Sequence, residues 1–383
     1  MMEIYNDINL RKHRAAAAMR AVVAAAMAVA AAVGLWSCER WVYEDLDPCE
    51  RHYYVRFCFD MNMSYADAFA ARVNSVRLYI FDSATGQLVD VCDEAGEALA
   101  RADYRMEIEV QPGDYDLIAW CGLEGNDDLF ALPAEVAVRE DAHCRMARDY
   151  DEGGRAVQRR WLPSLFHGRA SAVLPEEYGE YEVTVPLIKN TNNINLSMQH
   201  VAGQPLTADM FTVTLTDSNG HMAHDNSLTD DEAVDYYPWH VADGTVDIGG
   251  DNAARSTRST RGTRADGENA ENGGGNGETD GETLNYFMAE ISTARLMADR
   301  SPRINITDNA TGKLLYSIPI VDWALEFRSA QHGSMGEQEY LDREDQYNVM
   351  LYLDNKDDSG WLASSIYING WRVVRHDDTG MGQ

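Results

Sequence analysis

The sequence predicts an all-β chain. Short runs alternate apolar with polar residues, turn-forming residues separate those runs, and no long stretch repeats at the helical period. Several short strands at this spacing indicate β-sandwiches. Hydrophobic residues make up 45% of the 383, so a sizeable core and two ordinary domains are within reach.

Residues 53–59 open the series, with Tyr53, Val55, Phe57 and Phe59 on one face of a strand. Ser64-Tyr65-Ala66-Asp67 reads as an N-cap for a short helix through Ala68-Phe69-Ala70-Ala71. Val76, Leu78 and Ile80 then alternate with Arg77 and Tyr79 before the turn Ser83-Ala84-Thr85-Gly86. Met106, Ile108 and Val110 alternate with Glu107 and Glu109. Pro112-Gly113 reverses the chain, and residues 115–120 run back. Residues 182–187 are another strand, which Pro186 places at a sheet edge because proline has no N–H to donate.

A second series starts at Ile194, with Leu196 and Met198 on the same face. Phe211, Val213 and Leu215 alternate with threonines, and Asp217-Ser218-Asn219-Gly220 reads as a hairpin turn. Two further runs, 303–306 and 314–318, flank the turn Asn309-Ala310-Thr311-Gly312. A short helix is expected near 322–329. Residues 347–353 and 366–374 read as the closing strands. Between these runs lies a low-complexity insert, about 249–282. It opens with Arg255, Arg258, Arg261 and Arg264 and continues in Gly, Asn and Glu. With almost nothing apolar to bury, it is expected to be a disordered surface loop, open to trypsin-like proteases.

The first forty residues set the compartment. Arg11, Lys12, Arg14 and Arg20 form a basic region ahead of an apolar run over 21–35, short for a membrane span. The run ends in Leu35-Trp36-Ser37-Cys38, which resembles a bacterial lipobox. Cleavage between Ser37 and Cys38 would remove a signal peptide of residues 1–37. The freed Cys38 would then carry a thioether-linked diacylglycerol and further acyl chains such as palmitate. Two or more chains on one residue anchor stably without a spanning helix.

The formal net charge is −31. An acidic surface repels phosphate backbones, so nucleic acid is not an expected partner. Of six cysteines, five remain once Cys38 is acylated, an odd number with no C-x-x-C spacing. One or two disulfides are compatible with an oxidising compartment, and Cys58 and Cys121 read equally well as buried core residues.

The motifs of common enzyme classes are missing from the sequence, and no cofactor or metal is expected. The run Gly273-Gly274-Gly275-Asn276-Gly277 lacks the lysine of a phosphate loop and reads as a linker. Asp230-Asp231-Glu232 lacks the alternation of a calcium loop and reads as a solvated face. His167 follows an apolar run with no nucleophile near it and reads as structural. Asp342, Glu344 and Asp345 around Arg343 read as a surface or inter-strand charge network. Asp82-Ser83-Ala84 fits a three-residue bacterial O-glycosylation pattern.

Several segments, in order, resemble the fimbrillin-A associated anchor proteins. They begin with Tyr43-Glu44-Asp45-Leu46-Asp47-Pro48-Cys49, Val55-Arg56-Phe57 and Ala66-Asp67-Ala68-Phe69. Val76-Arg77-Leu78-Tyr79-Ile80-Phe81-Asp82, Pro112-Gly113-Asp114-Tyr115 and Ala119-Trp120-Cys121-Gly122-Leu123 follow. Phe166-His167-Gly168, Lys189-Asn190-Thr191-Asn192-Asn193-Ile194, Glu339-Tyr340-Leu341-Asp342-Arg343 and Ile368-Asn369-Gly370-Trp371 complete the set. The insert departs from the family pattern. The resemblance implies two tandem transthyretin-like β-sandwich domains, 38–188 and 189–383, behind the signal peptide. It implies a non-catalytic lipoprotein of the outer membrane that attaches a fimbrial shaft and limits its length. Partner pilin subunits would be met by β-strand complementation, in which an open sheet edge gives or takes a strand. The closing strand, 365–374, is the expected contact. The alternative is a surface lipoprotein with the same sandwiches that binds glycan or host protein, as an adhesin or tip subunit would.

Overall fold

The computed structural model describes residues 50–126, 128–247, 283–354 and 362–373, with Met19, Arg20, Val22, Val23 and Ala25. The chain divides into a small unit, Met1–His52 with Glu177–Glu180, and a large one, Tyr53–Glu176 with Tyr181–Gln383. The insert expected at 249–282 lies outside the described residues.

The all-β reading holds. In chain order the strands begin with β1 (Arg51–Cys58), β2 (Ser75–Asp82), β3 (Leu88–Ala95), β4 (Met106–Ile108) and β5 (Gly113–Cys121). Next come β6 (Phe130–Ala131), β7 (Cys144–Met146), β8 (Asp149–Tyr150), β9 (Ala156–Gln158), β10 (Phe166–Leu174) and β11 (Gly179–Lys189). Then follow β12 (Thr191–His200), β13 (Phe211–Asp217), β14 (His221–Met222), β15 (Val234–Tyr236), β16 (His240–Asp247) and β17 (Thr283–Ala294). The series ends with β18 (Arg303–Asp308), β19 (Leu314–Pro319), β20 (Gln346–Asp354), β21 (Leu362–Ile368) and β22 (Trp371–Val373). Among the described residues, three α-helices interrupt them: α1 (Phe69–Arg72), α2 (Ile320–Gln331) and α3 (Glu337–Arg343).

A seven-stranded sheet runs β3-β2-β5-β10-β11-β1-β4. Its centre is buried on both faces. Val76, Leu78 and Ile80 of β2 and Leu117, Ala119 and Cys121 of β5 join one apolar core with β1, β10 and β11. Tyr79, Phe81, Ile118 and Trp120, on the opposite face of the same strands, join a second core. Alternation along β2 and β5 therefore separates two cores rather than core from solvent.

The second core lies among three further sheets. Two are six-stranded, β16-β17-β12-β20-β21-β22 and β19-β18-β13-β15-β9-β8, and one is three-stranded, β14-β7-β6. Ile194, Leu196 and Met198 on β12 and Val213 and Leu215 on β13 share this core, as their period of two requires. β12 and β20 pair in parallel from Asn193↔Gln346 to His200↔Leu353. β9 pairs in parallel with β15, so strands from before residue 188 complete a sheet built after it.

The expected first helix is α1, with the Asp67 carboxylate accepting the Phe69 N–H at 3.0 Å. The helix expected near 322–329 is α2. Three expectations are corrected. Pro186 lies within β11, between β10 and β1 rather than at an edge. The β10 ladder accommodates it by pairing from Phe166↔Lys189 to Gly168↔Leu187 and ending there, just short of the missing donor. Asp217-Ser218-Asn219-Gly220 does not close a hairpin. β13 pairs with β15 and β18, and the turn delivers the chain to β14, which pairs with β7. The run 366–374 is not one strand. Asn369 and Gly370 have φ of +48° and +80°, and the chain reverses there, pairing β21 with β22 from Ile366↔Val373 to Ile368↔Trp371. Asn-Gly in that conformation is the preferred two-residue hairpin.

Candidate functional site: a buried polar joint and an open sheet edge

Ser37 and Cys38, the expected cleavage and acylation residues, lie outside the described residues. Among the described residues no helix is long and apolar enough to cross a membrane. The described cysteines Cys58, Cys92, Cys121 and Cys144 are unbonded. Burial pushes the Cys92 thiol up to about 11, with the Asp90 charge adding to it, and raises Cys121 and Cys144 further. None is a ready nucleophile, since the thiolate is the reactive form.

Motif segments far apart in the chain converge on one buried polar joint. Asn190 Nδ2 donates to Asn226 Oδ1 at 2.6 Å, and Asn226 Nδ2 returns a bond to Asn190 Oδ1 at 3.2 Å. Arg295 Nη1 donates to the Asn226 carbonyl at 2.7 Å. Its other nitrogens, Nε and Nη2, close on the Asp342 carboxylate at 2.8 Å each. Gln338 Nε2, one turn back on α3, donates to the same carboxylate at 2.9 Å. Asn219 is fully buried. Its amide donates to the carbonyls of Ala294 and Arg295 at 3.1 Å, and its oxygen accepts the Tyr236 hydroxyl. A well-satisfied network in low dielectric specifies one geometry, because each displaced partner strands a buried polar group.

His167 joins the same region. Its ring meets Trp120 edge-on, with centroids 4.6 Å apart, and Nε2 lies 2.9 Å from the His224 carbonyl. A carbonyl can only accept, so Nε2 carries the proton. Burial pulls the imidazole down to about 4, so it is neutral at physiological pH. The structural reading of this residue fits its surroundings. Gly168 follows because a Cβ there would strike the side chains of Leu187 and Val185.

The acidic clusters are corrected in part. Asp342, Glu344 and Asp345 do not share one surface network. Asp342 is buried on Arg295, while Asp345 accepts Lys189 Nζ at 2.6 Å. Burial raises the Glu344 carboxyl. Arg343 instead binds Glu339 at 2.9 Å, donates to the Asp60 and Asn62 carbonyls, and covers the Tyr65 ring. Successive helical residues are about 100° apart, which sends neighbours to different partners. Asp231 is likewise no solvated acid. It pairs with Arg148 at 2.6 Å, and both are nearly buried. Among the described residues no group of three or more His, Cys, Asp or Glu is placed to hold a metal.

The second feature is an edge. β22 covers only the last part of β21, Ile366–Ile368, and among the described residues is itself the last strand of its sheet. Unpaired backbone groups of this kind can accept another strand.

A family model for the fimbrillin-A associated anchor proteins Mfa1 and Mfa2 matches residues 46–377. The minor fimbrium anchoring subunit Mfa2 of Porphyromonas gingivalis is 20% identical over 351 residues, covering 90% of this chain and 92% of that protein. Its fimbrial anchor structure superposes with TM-score 0.57 at 17% identity, covering 85% of this chain and 99% of that one. A candidate adhesin of Bacteroides thetaiotaomicron superposes with TM-score 0.68 at 28% identity, over 86% of this chain and 99% of that one. The matched family model spans most of the sequence, and this chain belongs to the fimbrillin-A associated anchor proteins.

Proposed function

We propose that this protein is a lipid-anchored, non-catalytic base for a fimbrial shaft at the outer membrane. The carrying observation is the family match over residues 46–377, which begins just after the lipobox-like Cys38. In this reading residues 1–37 are cleaved as a signal peptide, and Cys38 takes the acyl chains, palmitate among them. Residues 38–188 and 189–383 are two transthyretin-like sandwich domains, with β8 and β9 of the first lent to a sheet of the second. The partner is a pilin subunit, met by strand complementation, and occupancy of the base limits shaft length. The buried joint suits this role, because a base must hold its geometry rather than perform chemistry.

Labelling cells with an alkyne-bearing fatty acid tests the anchor. The wild type should incorporate label, and Cys38→Ala should lose it and shed shafts into the medium. An unlabelled wild type, or shafts retained by Cys38→Ala, overturns the reading. The contact is assigned to the β22 edge. Ile366 and Ile368 are buried in the core, so the informative deletion starts after Gly370 and spares them. Removing 371–383 should abolish shaft attachment while leaving the fold intact. Unchanged attachment excludes that edge.

A further inference from the structure

The outward face of the sheet at β12, β20 and β21 differs from the rest of this acidic protein. Outward on β12 stand Asn193, Asn195, Ser197 and Gln199, opposite the buried Ile194, Leu196 and Met198. β20 contributes Asn348, Met350 and Tyr352, and β21 contributes Tyr367. A groove of about 270 Å³ opens here, close to the lower bound of small-molecule sites, about 300–1,000 Å³. None of its eight lining residues is charged, although the chain carries 63 acidic and 32 basic residues. Charge returns at its margins, with Glu290 paired opposite Asn195 and Arg372 opposite Tyr367.

We propose that this groove binds a neutral oligosaccharide. The Tyr352 and Tyr367 rings stand at 77° with centroids 5.7 Å apart, giving apolar surface with polar tips. The C–H face of a sugar ring packs on such a surface. Asn195 Nδ2 donates to Asn348 Oδ1 at 3.0 Å. That bond leaves the Asn195 oxygen as an acceptor and the Asn348 amide as a donor, a match for hydroxyls, which do both. The lining itself offers no charge to an ionic ligand, and the flanking Glu290 and Arg372 are of opposite sign. An added peptide strand would find no backbone partners, because β12 is paired with β17 and β20, and β20 with β12 and β21. The groove shares Tyr367 and Gly370 with the β21–β22 hairpin, but its ligand meets side chains on the sheet face while the shaft is assigned to the backbone edge of β22, so glycan binding and shaft attachment are read out separately.

The test is a glycan array and titration calorimetry on the full chain in detergent. The probes are β-glucan, mannan and N-acetyllactosamine oligomers, with sialylated and sulfated glycans alongside. A neutral series should bind with an affinity that added salt leaves unchanged. Tyr367→Ala and Asn348→Ala should each weaken it about tenfold or more. Glu290→Gln, at the margin, should bind as the wild type. If the alanine variants melt early, Asn348→Asp serves instead, because it adds a charge at an exposed position and should weaken binding by itself. The proposal is overturned if no neutral glycan binds, or if only charged glycans bind and salt abolishes that binding. It is equally overturned if Asn348→Asp binds glycan unchanged, or if that variant loses pilin capture while the wild type binds no glycan.

Discussion

Arg295 and Asp342 are both nearly buried and close on each other through two hydrogen bonds of 2.8 Å. Removing one partner leaves an uncompensated charge, which typically costs about 3–5 kcal/mol. Asp342→Ala and Arg295→Ala should each lower stability by about that amount, and the double variant should lose much less than their sum. Additive losses in urea titrations would show that the pair is not coupled. His167 sets a pH dependence. Its imidazole is near 4 in the fold against 6.5 when unperturbed, so between those values the unfolded chain binds the proton and the fold does not. Stability therefore drops as pH falls through that window, by up to about 3 kcal/mol from this residue. His143 and His221, whose rings approach to 3.1 Å beside Arg145, are also lowered by burial and act in the same direction. His167→Gln should flatten the stability-versus-pH curve between pH 6.5 and 4; an unchanged slope would assign the loss to other groups. At this scale the sequence revealed residue types but not partners. Asp342 lies 47 positions from Arg295, and no local pattern distinguishes it from the other acids around it. The conformity of Phe-His-Gly and Lys-Asn-Thr-Asn to a family pattern was the only signal that they mattered.

Strands were legible wherever one face is buried, as in β13, where Phe211, Val213 and Leu215 point inward in the expected phase. Elements were missed where the deciding information is a turn or a distant partner. Asn369-Gly370 was in plain view as a hairpin signal, yet the apolar residues on either side read as one strand. Gly370→Val should test the turn. A β-branched side chain at φ +80° is strained, and the β21–β22 hairpin should lose about 1–3 kcal/mol of local stability. Hydrogen exchange at Ile368 and Trp371, the pair that closes the hairpin, should accelerate while the β12–β17 amides stay protected. Protection unchanged at both residues would mean that β22 is held from outside the hairpin. α3 carried a sequence cue in the Glu339–Arg343 spacing, which forms an i,i+4 ion pair. Its seven residues are too few to give a periodic pattern.

Across the large unit, one apolar core takes residues from both halves of the sequence: Tyr79, Phe81 and Trp120 from the first, Ile194, Leu215 and Tyr347 from the second. A shared core should melt once. Calorimetry should show a single transition, and Trp120→Ala, which empties a fully buried position, should lower it by the equivalent of about 3–5 kcal/mol. Two resolved transitions, only one of them moved by Trp120→Ala, would mean two independently folding bodies. This sharing was not legible because alternation shows which residues face inward but not which interior they face. The parallel register of β12 with β20 has a mechanical corollary. Tension drawn along β20 loads every rung of that ladder in shear at the same moment, whereas a terminal hairpin such as β21–β22 can be peeled open rung by rung. Under the proposed attachment at β22, a pull would first spend force on the outermost hairpin and meet the stiffer resistance only behind it.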